Sequence, residues 1–332
     1  MGRSSGRIVR WLVFLGTLAS VGLTGCRSRS GDGDPTVVRI GYQKTGTLNL
    51  LRIRGGLTAD LAKLGVRVEW VGFPAGPQLL EALNAGSIDF GHTGDTPPVL
   101  AQAAGVPFVY VAHEPSRSHA EAILVPAGSP MQSVAELRGK QVALNKGSNV
   151  HYLLVRALEK AGVPYDQVRT VFLPPSDARA AFSGGSVDAW AAWDPYFAEA
   201  EIGAGARVLA DGEGLVANRE FFLASRALVR DRPDVVRAIV DAVDREGQWA
   251  TANLDQVVLL FSVELGLDAE TLKRAVRRKA FGASPMGDAV VAEQQHLADA
   301  FAAIGLIPGK IIVRDAVADI RLAASGKEEH RE

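Results

Sequence analysis

The chain has 332 residues, of which 47 % are hydrophobic and 22 % charged, the balance of a folded protein with a full core rather than a disordered one. Its 36 Lys and Arg residues against 37 Asp and Glu residues give a net charge of −1, so no basic field points to nucleic acid. A single cysteine excludes a disulfide framework within the chain and any thiolate metal cluster.

The N-terminal residues have the pattern of a secretory signal peptide. Three arginines precede an apolar run at 11–23, which is shorter than the roughly 20 residues that a bilayer span needs. The run ends in Leu-Thr-Gly-Cys26, which resembles the bacterial lipobox; a chance match or an ordinary buried thiol is the alternative. We predict a signal peptide at 1–25, a lipid on Cys26 and a flexible tether at 26–36, so that the mature protein is exported and anchored to a membrane.

Short apolar strands then alternate with amphipathic helices along the chain. The strands are predicted at 37–41, 66–71, 88–91, 108–112, 121–125, 141–144, 168–173, 187–193, 207–209 and 221–225. The helices are predicted at 48–64, 77–83, 99–104, 152–161, 177–183, 233–252, 255–266, 269–280 and 288–304. Such alternation indicates parallel βαβ units with helices on both faces of a sheet.

Two parts of this series look like copies of one another. Gly86-Ser-Ile-Asp89 recurs 99 positions later as Gly185-Ser-Val-Asp188, and Asp95 falls on Asp194 at the same offset. The alternative is that any two αβ units share Gly and Asp near their turns. We interpret the recurrence as a repeat of two similar lobes.

The stretch 173–197 predicts one edge of a ligand cleft. Ser176 can cap a helix there, and Asp177 suits the positive first turn of that helix. The following strand ends at Asp194-Pro195, because proline cannot donate to a sheet ladder. Trp193, close to the end of this strand, is the better candidate of two tryptophans for a cleft wall.

Polar loops follow several predicted strands at their C-terminal ends, the edge where open α/β folds bind ligands. Several of these loops lead directly into helices, whose free N–H groups suit an anion. Three or four such donors, each contributing roughly 1.5–3 kcal/mol net to a charged group, could hold a small monoanion without a buried arginine. The loops are 43–47, 73–77, 93–95, 146–149 and 176–177.

Some candidate residues have structural alternatives. Ser148 could cap its helix alone or also donate to a ligand. His151 could pack or contact solvent rather than bind. Asp95 and Asp194 could form turns; facing the cleft, they would favour a ligand amine and repel a bare anion.

Motifs of several enzyme classes do not occur in the sequence. There is no phosphate loop, no dinucleotide fingerprint, no nucleophile elbow and no helical histidine pair with zinc spacing among the six histidines. The sequence therefore favours a binding protein that uses no cofactor and no metal over an enzyme.

Motifs spread from about Val38 to Val313 resemble the aliphatic sulfonate-binding proteins of ABC importers. The wider group binds taurine, nitrate and related small ligands. The strings that carry the resemblance are Ile40-Gly-Tyr-Gln-Lys44, Phe73-Pro-Ala-Gly-Pro-Gln78, 79–89, Thr93-Gly-Asp95 with Pro97-Pro98, Lys146-Gly-Ser148 with His151, Asp177-Ala-Arg-Ala-Ala-Phe182 and Val187-Asp-Ala-Trp-Ala-Ala-Trp-Asp-Pro-Tyr196.

The resemblance implies an α/β fold, the two-lobed periplasmic binding protein of type II. Each lobe would be an open αβα sandwich, with two strands crossing at the hinge. Lobe 1 would be discontinuous, 37–122 plus 224–325, and lobe 2 would be 123–223. The ligand-binding residues that it implies are Gln43, Pro74, Gly76, Thr93, Gly94, Asp95, Ser148, Asn149, His151, Asp177, Trp193 and Asp194.

Two sites depart from the family pattern. His92 and Asn149-Val150 stand where smaller or serine-rich residues are expected. These departures leave the lobe architecture unaffected and put the preferred ligand in doubt.

The resulting hypothesis is a monomeric, lipid-anchored protein in the periplasm or on the outer face of the cell membrane. It would capture an alkyl- or arylsulfonate and deliver it to an ABC transporter permease for sulfur acquisition. A binder of taurine, nitrate or another small anion is the first alternative. An enzyme on the same fold, and a lipoprotein sensor or scaffold without a transport role, are the weaker ones.

Overall fold

The computed structural model describes residues 36–318. The predicted signal peptide, the lipidation site Cys26 and nearly all of the tether lie outside the described residues, as do residues 319–332. Within 36–318, every helix is too short or too polar to cross a bilayer.

Strands and helices alternate from the first described residue onward. The strands are β1 (Thr36–Tyr42), β2 (Val66–Gly72), β3 (Phe90–Gly94), β4 (Phe108–His113), β5 (Glu121–Val125), β6 (Gln141–Leu144), β7 (Arg169–Phe172), β8 (Ala189–Trp193), β9 (Arg207–Asp211) and β10 (Glu220–Ser225). The α-helices are α1 (Thr47–Arg54), α2 (Gly56–Ala62), α3 (Gly76–Asn84), α4 (Thr96–Ala103), α5 (Asn149–Lys160), α6 (Pro175–Ser183), α7 (Tyr196–Gly203), α8 (Arg226–Asp231), α9 (Pro233–Ala252), α10 (Leu254–Leu265), α11 (Ala269–Arg277) and α12 (Asp288–Ala303).

The strands form two five-stranded sheets with equivalent orders. The first sheet has the order β2-β1-β3-β10-β4 and the second the order β7-β6-β8-β5-β9. β1 in the first sheet and β6 in the second are parallel to both of their neighbours, whereas β10 and β5 run antiparallel to theirs. We name the first sheet with its helices lobe 1 and the second sheet with its helices lobe 2. The chain crosses between them before β5 and again before β10.

The predicted lobe limits at 122/123 and 223/224 fall inside two strands. β5 pairs with β8 and β9 in lobe 2, and β10 pairs with β3 and β4 in lobe 1. Strand pairing therefore favours a division just before each of these strands. The outer limits of the lobes stay a prediction.

The predicted repeat is confirmed by equivalent hydrogen bonds in the two sheets. Asp89 donates its N–H to the Arg39 carbonyl and accepts the Arg39 N–H at Oδ2, both at 2.8 Å. Asp188 makes the same two bonds with Gln141, at 2.9 and 2.8 Å. The glycine that opens each motif adopts a positive φ, 69° and 71°, which glycine tolerates. Each motif thus turns the chain and then fixes the start of one strand.

The helix predicted at 48–64 is instead two helices. Gly55 adopts a left-handed conformation with φ 78°, and its N–H bonds to the Leu51 carbonyl. This arrangement ends α1, because a helix that reaches a left-handed glycine has satisfied its last carbonyls and cannot continue. α2 begins at the next residue.

The strand predicted at 88–91 lies two to three residues later, as β3. Thr93 and Gly94, which were expected in the loop 93–95, belong to the strand. The reason is tertiary: β10 pairs with β3 from Phe90 to Gly94, and these bonds extend the ladder past the apolar residues that signalled it.

α7 is a helix that the sequence analysis did not predict. Asp194-Pro195 does end β8, but Pro195 is also the residue that precedes the helix. The Asp194 carboxylate accepts the N–H of Ala198 at 3.1 Å, which satisfies a free donor in the first turn. By contrast α6, for which Ser176 was expected as the cap, begins after Pro174 without a side-chain cap.

The helices pack on the sheets in four apolar clusters. The first joins α1, α2 and α9 to lobe 1 around Phe90, and the second joins α6 and α7 to lobe 2 around Trp190. The third joins α3, α4, α5 and α12 and runs continuously through both lobes. The fourth joins α10 and α11 to α1 of lobe 1 around Phe261. α11 is therefore held on lobe 1, and α7 on lobe 2.

Candidate functional site

A cleft lies between the lobes, with a cavity volume of about 40 Å³. Lobe 1 contributes the loops after β1 and β2 and the end of α11, and lobe 2 contributes the end of β8 with the start of α7. The crossing segments form the remainder. The lining residues are Gln43, Lys44, Thr45, Gly46, Pro74, Arg117, Ala120, Trp193, Asp194, Pro195, Tyr196, Glu220, Ala275, Val276 and Lys279.

Three cations line this cleft. Arg117 forms an ion pair with Glu220, and its Nε donates to the Asn218 carbonyl at 3.3 Å. The Lys279 side chain is only 5 % exposed, and its ammonium has no hydrogen-bond partner among the described residues. Lys44 lies over the Tyr196 ring, 5.2 Å from its centre. A buried ammonium without a partner is available to a ligand anion.

Glu220 is the carboxylate that two of these cations, Arg117 and Lys279, face. Its Oε1 lies 3.7 Å from the Lys279 ammonium, and its Oε2 lies 2.6 Å from Nδ1 of His92. Burial acts to raise the pKa of Glu220, but Arg117, Lys279 and His92 outweigh it and hold that pKa well below the usual range. Glu220 is therefore ionised at neutral pH.

Two other acids of the site are ionised less readily. Burial raises the pKa of Glu114, 3.7 Å from Lys279, although the ammonium opposes the shift. Burial likewise raises the pKa of Asp194 to about 7, against the opposing effect of Arg278. Near neutral pH the three cations therefore outweigh the negative charge of the site, and the cleft favours an anion.

His92, the departure from the family pattern, positions two lining residues. Its Nε2 accepts the Gln43 N–H at 3.3 Å, so Nδ1 carries the proton and donates to Glu220. The Gln43 amide also donates to the His92 carbonyl at 3.0 Å. A Cβ at Gly46 would lie 1.9 Å from the imidazole, so the large side chain at 92 requires glycine at 46.

The same cleft has an apolar wall, against which Lys44 lies. Trp193 and Tyr196 meet edge to face, with ring centres 5.9 Å apart. The rest of the apolar lining consists of Pro74, Ala120, Pro195, Ala275 and Val276. A wall of this kind suits an aliphatic or aromatic ligand tail.

Of the twelve predicted ligand-binding residues, the structure brings four together in the cleft lining. These are Gln43, Pro74, Trp193 and Asp194. The other eight lie outside the lining, and their direct contact with a ligand stays a prediction. They are Gly76, Thr93, Gly94, Asp95, Ser148, Asn149, His151 and Asp177.

Four of these eight pack at the junction of β3 with its neighbours. A Cβ at Gly76 would lie 1.8 Å from Oγ1 of Thr93, and one at Gly94 would lie 3.1 Å from Cβ of Asn149. Asn149, at the start of α5, donates to Glu121 and, at 3.2 Å, to Asn218. Gly76 and Gly94 thus permit close contact, the second of them between the lobes.

Asp95 lines a different groove, together with residues that include Tyr152, Glu293 and Gln294. Its carboxylate accepts the Thr96 hydroxyl at 3.1 Å. Burial raises the pKa of Asp95 to about 7. Its equivalent position in lobe 2, Asp194, lines the cleft, so the two copies of the motif have different surroundings.

The remaining three residues show local contacts. The Ser148 hydroxyl donates to the Asn145 carbonyl at 2.8 Å rather than accepting a helix N–H. His151 is buried; its Nδ1 accepts the Gly147 N–H, its Nε2 lies 2.6 Å from the Tyr165 hydroxyl, and burial lowers its pKa to about 4. Asp177 is exposed in the first turn of α6.

The sequence analysis missed Arg117, Glu220 and Lys279. It expected an anion to be held without a buried arginine, whereas the side chain of Arg117 in the cleft is only 11 % exposed. These residues belong to no short motif, and only the two crossings of the chain bring them together. A usable signal was the polar stretch His113 to Glu121, which connects the two predicted lobes.

One group of possible metal ligands lies on the surface, away from the cleft lining. It consists of His119, Asp211 and Glu213. Nδ1 of His119 lies 2.9 Å from Asp211, whereas its Nε2 faces Glu213 at 4.0 Å. The two ring nitrogens of His119 face different carboxylates, so these contacts are ion pairs of His119 with Asp211 and with Glu213.

Comparison with known proteins agrees with the fold. The structure of the alkanesulfonate-binding protein SsuA from Xanthomonas axonopodis pv. citri, bound to MOPS, matches with a TM-score of 0.82 and 38 % identity, over 86 % of this chain and 99 % of that one. The two lobes with equivalent sheets are those of a two-lobed periplasmic binding protein.

The sequence comparisons define the family. The NMT1/THI5-like family matches residues 62–256. A protein of Escherichia coli (strain K12) described as aliphatic sulfonates-binding is 39 % identical over 87 % of this chain and 90 % of its own length. A protein of Bacillus subtilis (strain 168) with the same description is 31 % identical over 93 % of this chain and 94 % of its own length. The chain belongs to the NMT1/THI5-like family, in the group of the aliphatic sulfonate-binding proteins.

Proposed function

We propose that this protein captures alkyl- or arylsulfonates outside the cytoplasm and delivers them to an ABC transporter permease for sulfur acquisition. The observation that carries the proposal is that three cations, Lys44, Arg117 and Lys279, line the same cleft as an apolar wall. The relatives described as sulfonate-binding support the same ligand class.

The sulfonate headgroup would bind at Arg117 and Lys279. A sulfonate has three equivalent acceptor oxygens and a permanent negative charge, so it needs several donors and no proton. The Lys279 ammonium has no hydrogen-bond partner within 36–318, and the Arg117 guanidinium keeps donors beyond those that Glu220 and Asn218 use. Hydrogen bonds between two charged groups are about twice as strong as neutral ones.

The tail would lie along Trp193 and Tyr196. Burial of each CH₂ group contributes roughly 0.8 kcal/mol, so affinity should increase with tail length until the wall is covered. Nitrate has no tail, and taurine ends in an amine that would face Asp194 or Glu220 instead. Tail dependence therefore distinguishes the proposed ligands from these alternatives.

The test is calorimetry on wild type and on Lys279→Met, with ethane-, butane-, hexane- and benzenesulfonate, taurine and nitrate. We expect wild type to prefer the longer sulfonates, and Lys279→Met to lose about tenfold or more in affinity for every sulfonate, since a charged hydrogen bond is worth roughly 1.5–3 kcal/mol. Lys273→Met, on α11 six residues before Lys279 and outside the cleft lining, is the control and should bind as wild type does. Failure of every sulfonate to bind wild type would exclude the proposal.

The lipid anchor and the extracytoplasmic location are proposed from the sequence at Cys26. Cys26→Ser should move the protein from the membrane fraction to the soluble extracytoplasmic fraction. A wild-type protein that is already soluble after export would contradict the anchor while leaving the ligand proposal intact. Transport itself is tested by growth of a deletion strain on a sulfonate as sole sulfur source.

We also propose that the protein binds its ligand without converting it. The relatives that define its group are binding proteins by description. After incubation with hexanesulfonate, the ligand should be recovered unchanged. Release of sulfite or of a shortened product would favour the alternative, an enzyme on this fold.

A further inference from the structure

The ends of α7 and α11 meet across the cleft, and each is held on a different lobe. α11 packs through Leu272 and Val276 in the cluster around Phe261, on the side of lobe 1. α7 packs through Phe197 and Ala200 in the cluster of lobe 2. A contact between these two helices therefore joins one lobe to the other.

The contact consists mainly of two arginines and two acids. Arg278 pairs with Glu201 on α7, and its Nη1 lies 3.6 Å from Oδ2 of Asp194. Arg274 adds a second ion pair to Glu201, with Nη1 at 3.6 Å. The Arg278 guanidinium also lies on the Phe197 ring, 3.7 Å from its centre. We name these five residues the α7–α11 clamp.

The clamp is partly shielded from water. The side chains of Arg278 and Glu201 are only 16 % and 19 % exposed. Solvent and salt weaken such a pair less than they weaken an exposed surface pair, and removal of one partner leaves the other desolvated without compensation. Loss of one partner of the clamp is therefore expected to change how the lobes are arranged.

The same short segment also reaches the ligand cleft. Ala275, Val276 and Lys279 line the cleft, while Arg274 and Arg278 between and beside them face α7. A ligand that binds Lys279 thus holds the segment that carries the clamp. Arg278 also lies against Asp194 and offsets a negative charge that would otherwise repel an anion in the cleft.

We propose that Arg278, together with Arg274, is a positioning residue that increases affinity for sulfonates without contact with them, because it holds lobe 1 on lobe 2. This rests on the proposed function for the nature of the ligand. A protein whose binding-competent arrangement is only partly populated binds with an affinity reduced by that fraction. The clamp increases the fraction by stabilising the closed arrangement of the lobes.

Glu201→Gln is the decisive variant, because Glu201 touches both arginines and lies outside the cleft lining. Its matched control is Glu199→Gln on the same helix: Glu199 pairs with Arg179 at 2.9 Å inside lobe 2 and does not join the lobes. Glu201→Gln should weaken MOPS binding about tenfold, mainly through faster dissociation, and Glu199→Gln less than twofold. Arg278→Lys, which keeps the charge, should lose less than Arg278→Gln.

A second readout follows the lobes directly and needs no ligand. Spin labels at Val263→Cys on α10 and Val208→Cys on β9, in a Cys26→Ser background, report the distance between exposed positions of lobe 1 and lobe 2. Without sulfonate, Glu201→Gln should shift the distance distribution toward longer values, and Glu199→Gln should not. Identical distributions and affinities for the two variants would overturn the proposal. A wild-type protein that binds neither MOPS nor any other sulfonate, with the distance shift present, would contradict the proposed function and leave the clamp standing.

Discussion

Two buried glutamates occupy equivalent positions in the two lobes and meet opposite electrostatic surroundings. Glu220 is the first residue of β10 and lies opposite Gly94 at the end of β3. Glu121 is the first residue of β5 and lies opposite Trp193 at the end of β8. Since the sheets have equivalent orders, the two glutamates occupy equivalent backbone positions, although Glu220 lines the cleft and Glu121 lies outside its lining.

The neighbours of the two carboxyl groups differ. Arg117, Lys279 and His92 outweigh the effect of burial on Glu220 and hold its pKa well below the usual range. Burial raises the pKa of Glu121 well above that range, and the charge of Asp95 adds to the shift. Glu121 receives a hydrogen bond from Asn149, while its Oε1 has no partner within the described residues.

The repeated fold provides two equivalent positions, and side chains outside the repeat give the glutamates at these positions different charge states. The cations that set the charge of Glu220 come from a crossing segment and from the end of α11, and neither belongs to a repeated motif. The same cations line the cleft. The charged side of the binding site is therefore an addition to the symmetric framework, and the aromatic wall at the end of β8 is the complementary side.

The largest expected effect separates the two glutamates. Glu220→Gln leaves Arg117 and Lys279 buried without their ionised partner, so the free energy of unfolding should fall by about 3–5 kcal/mol. Glu121→Gln replaces a carboxyl group whose ionised form burial disfavours by an amide that still accepts from Asn149, so the free energy of unfolding should change by less than about 1 kcal/mol. Chemical denaturation at pH 7, without ligand, measures both. Equal losses would mean that the two sites do not differ in charge.

Much of the framework is predictable from the sequence because its signals are local. The strand at 141–144 and the helix at 233–252 were predicted with the observed limits. The Gly-Ser-x-Asp motifs predicted the repeat, since each forms its turn and its strand contact within a few residues. Trp193 and Asp194 were predicted at the cleft for the same reason: the Asp-Pro step marks the end of β8.

The features that were missed depend on tertiary structure. β3 extends to Thr93 and Gly94 only because β10 pairs with it, and the sequence around β3 does not reveal this. Arg117, Glu220 and Lys279 are far apart in the chain and meet because the two crossings between the lobes lie next to the segment that follows α11. α7 was missed because proline at a strand end was interpreted only as a stop, although it also precedes helices.

A second prediction concerns Asp95, the charge that raises the pKa of Glu121. The pKa of Asp95 is about 7 in the folded protein against 3.8 for an unperturbed group, mainly because of burial. Between about pH 4 and 7 the folded state therefore keeps a proton that the unfolded chain loses, and the free energy of unfolding falls as pH rises through this range. Asp95→Asn removes that dependence and should be more stable than wild type by about 2–4 kcal/mol at pH 8, with little difference near pH 4.

The measurement is chemical denaturation of both proteins from pH 4 to 8. The exposed Asp177→Asn serves as the control, and its difference from wild type should stay nearly constant over this range. If Asp95→Asn gains no more stability over wild type at pH 8 than at pH 4, burial does not keep a proton on Asp95 in the folded protein. The contrast between Glu121 and Glu220 would then need another cause.

The smallest expected effect distinguishes the aromatic wall from the charged side. Trp193→Ala removes part of the wall at the end of β8 and leaves the three cations in place, so it should weaken hexanesulfonate binding about tenfold and ethanesulfonate binding by no more than about twofold. Lys279→Met should weaken both by similar factors, because every sulfonate has the same headgroup. Calorimetry on the two variants with the two ligands gives the comparison. Equal losses for both ligands in Trp193→Ala would mean that this side chain, which also packs against the core of lobe 2, only stabilises the lobe.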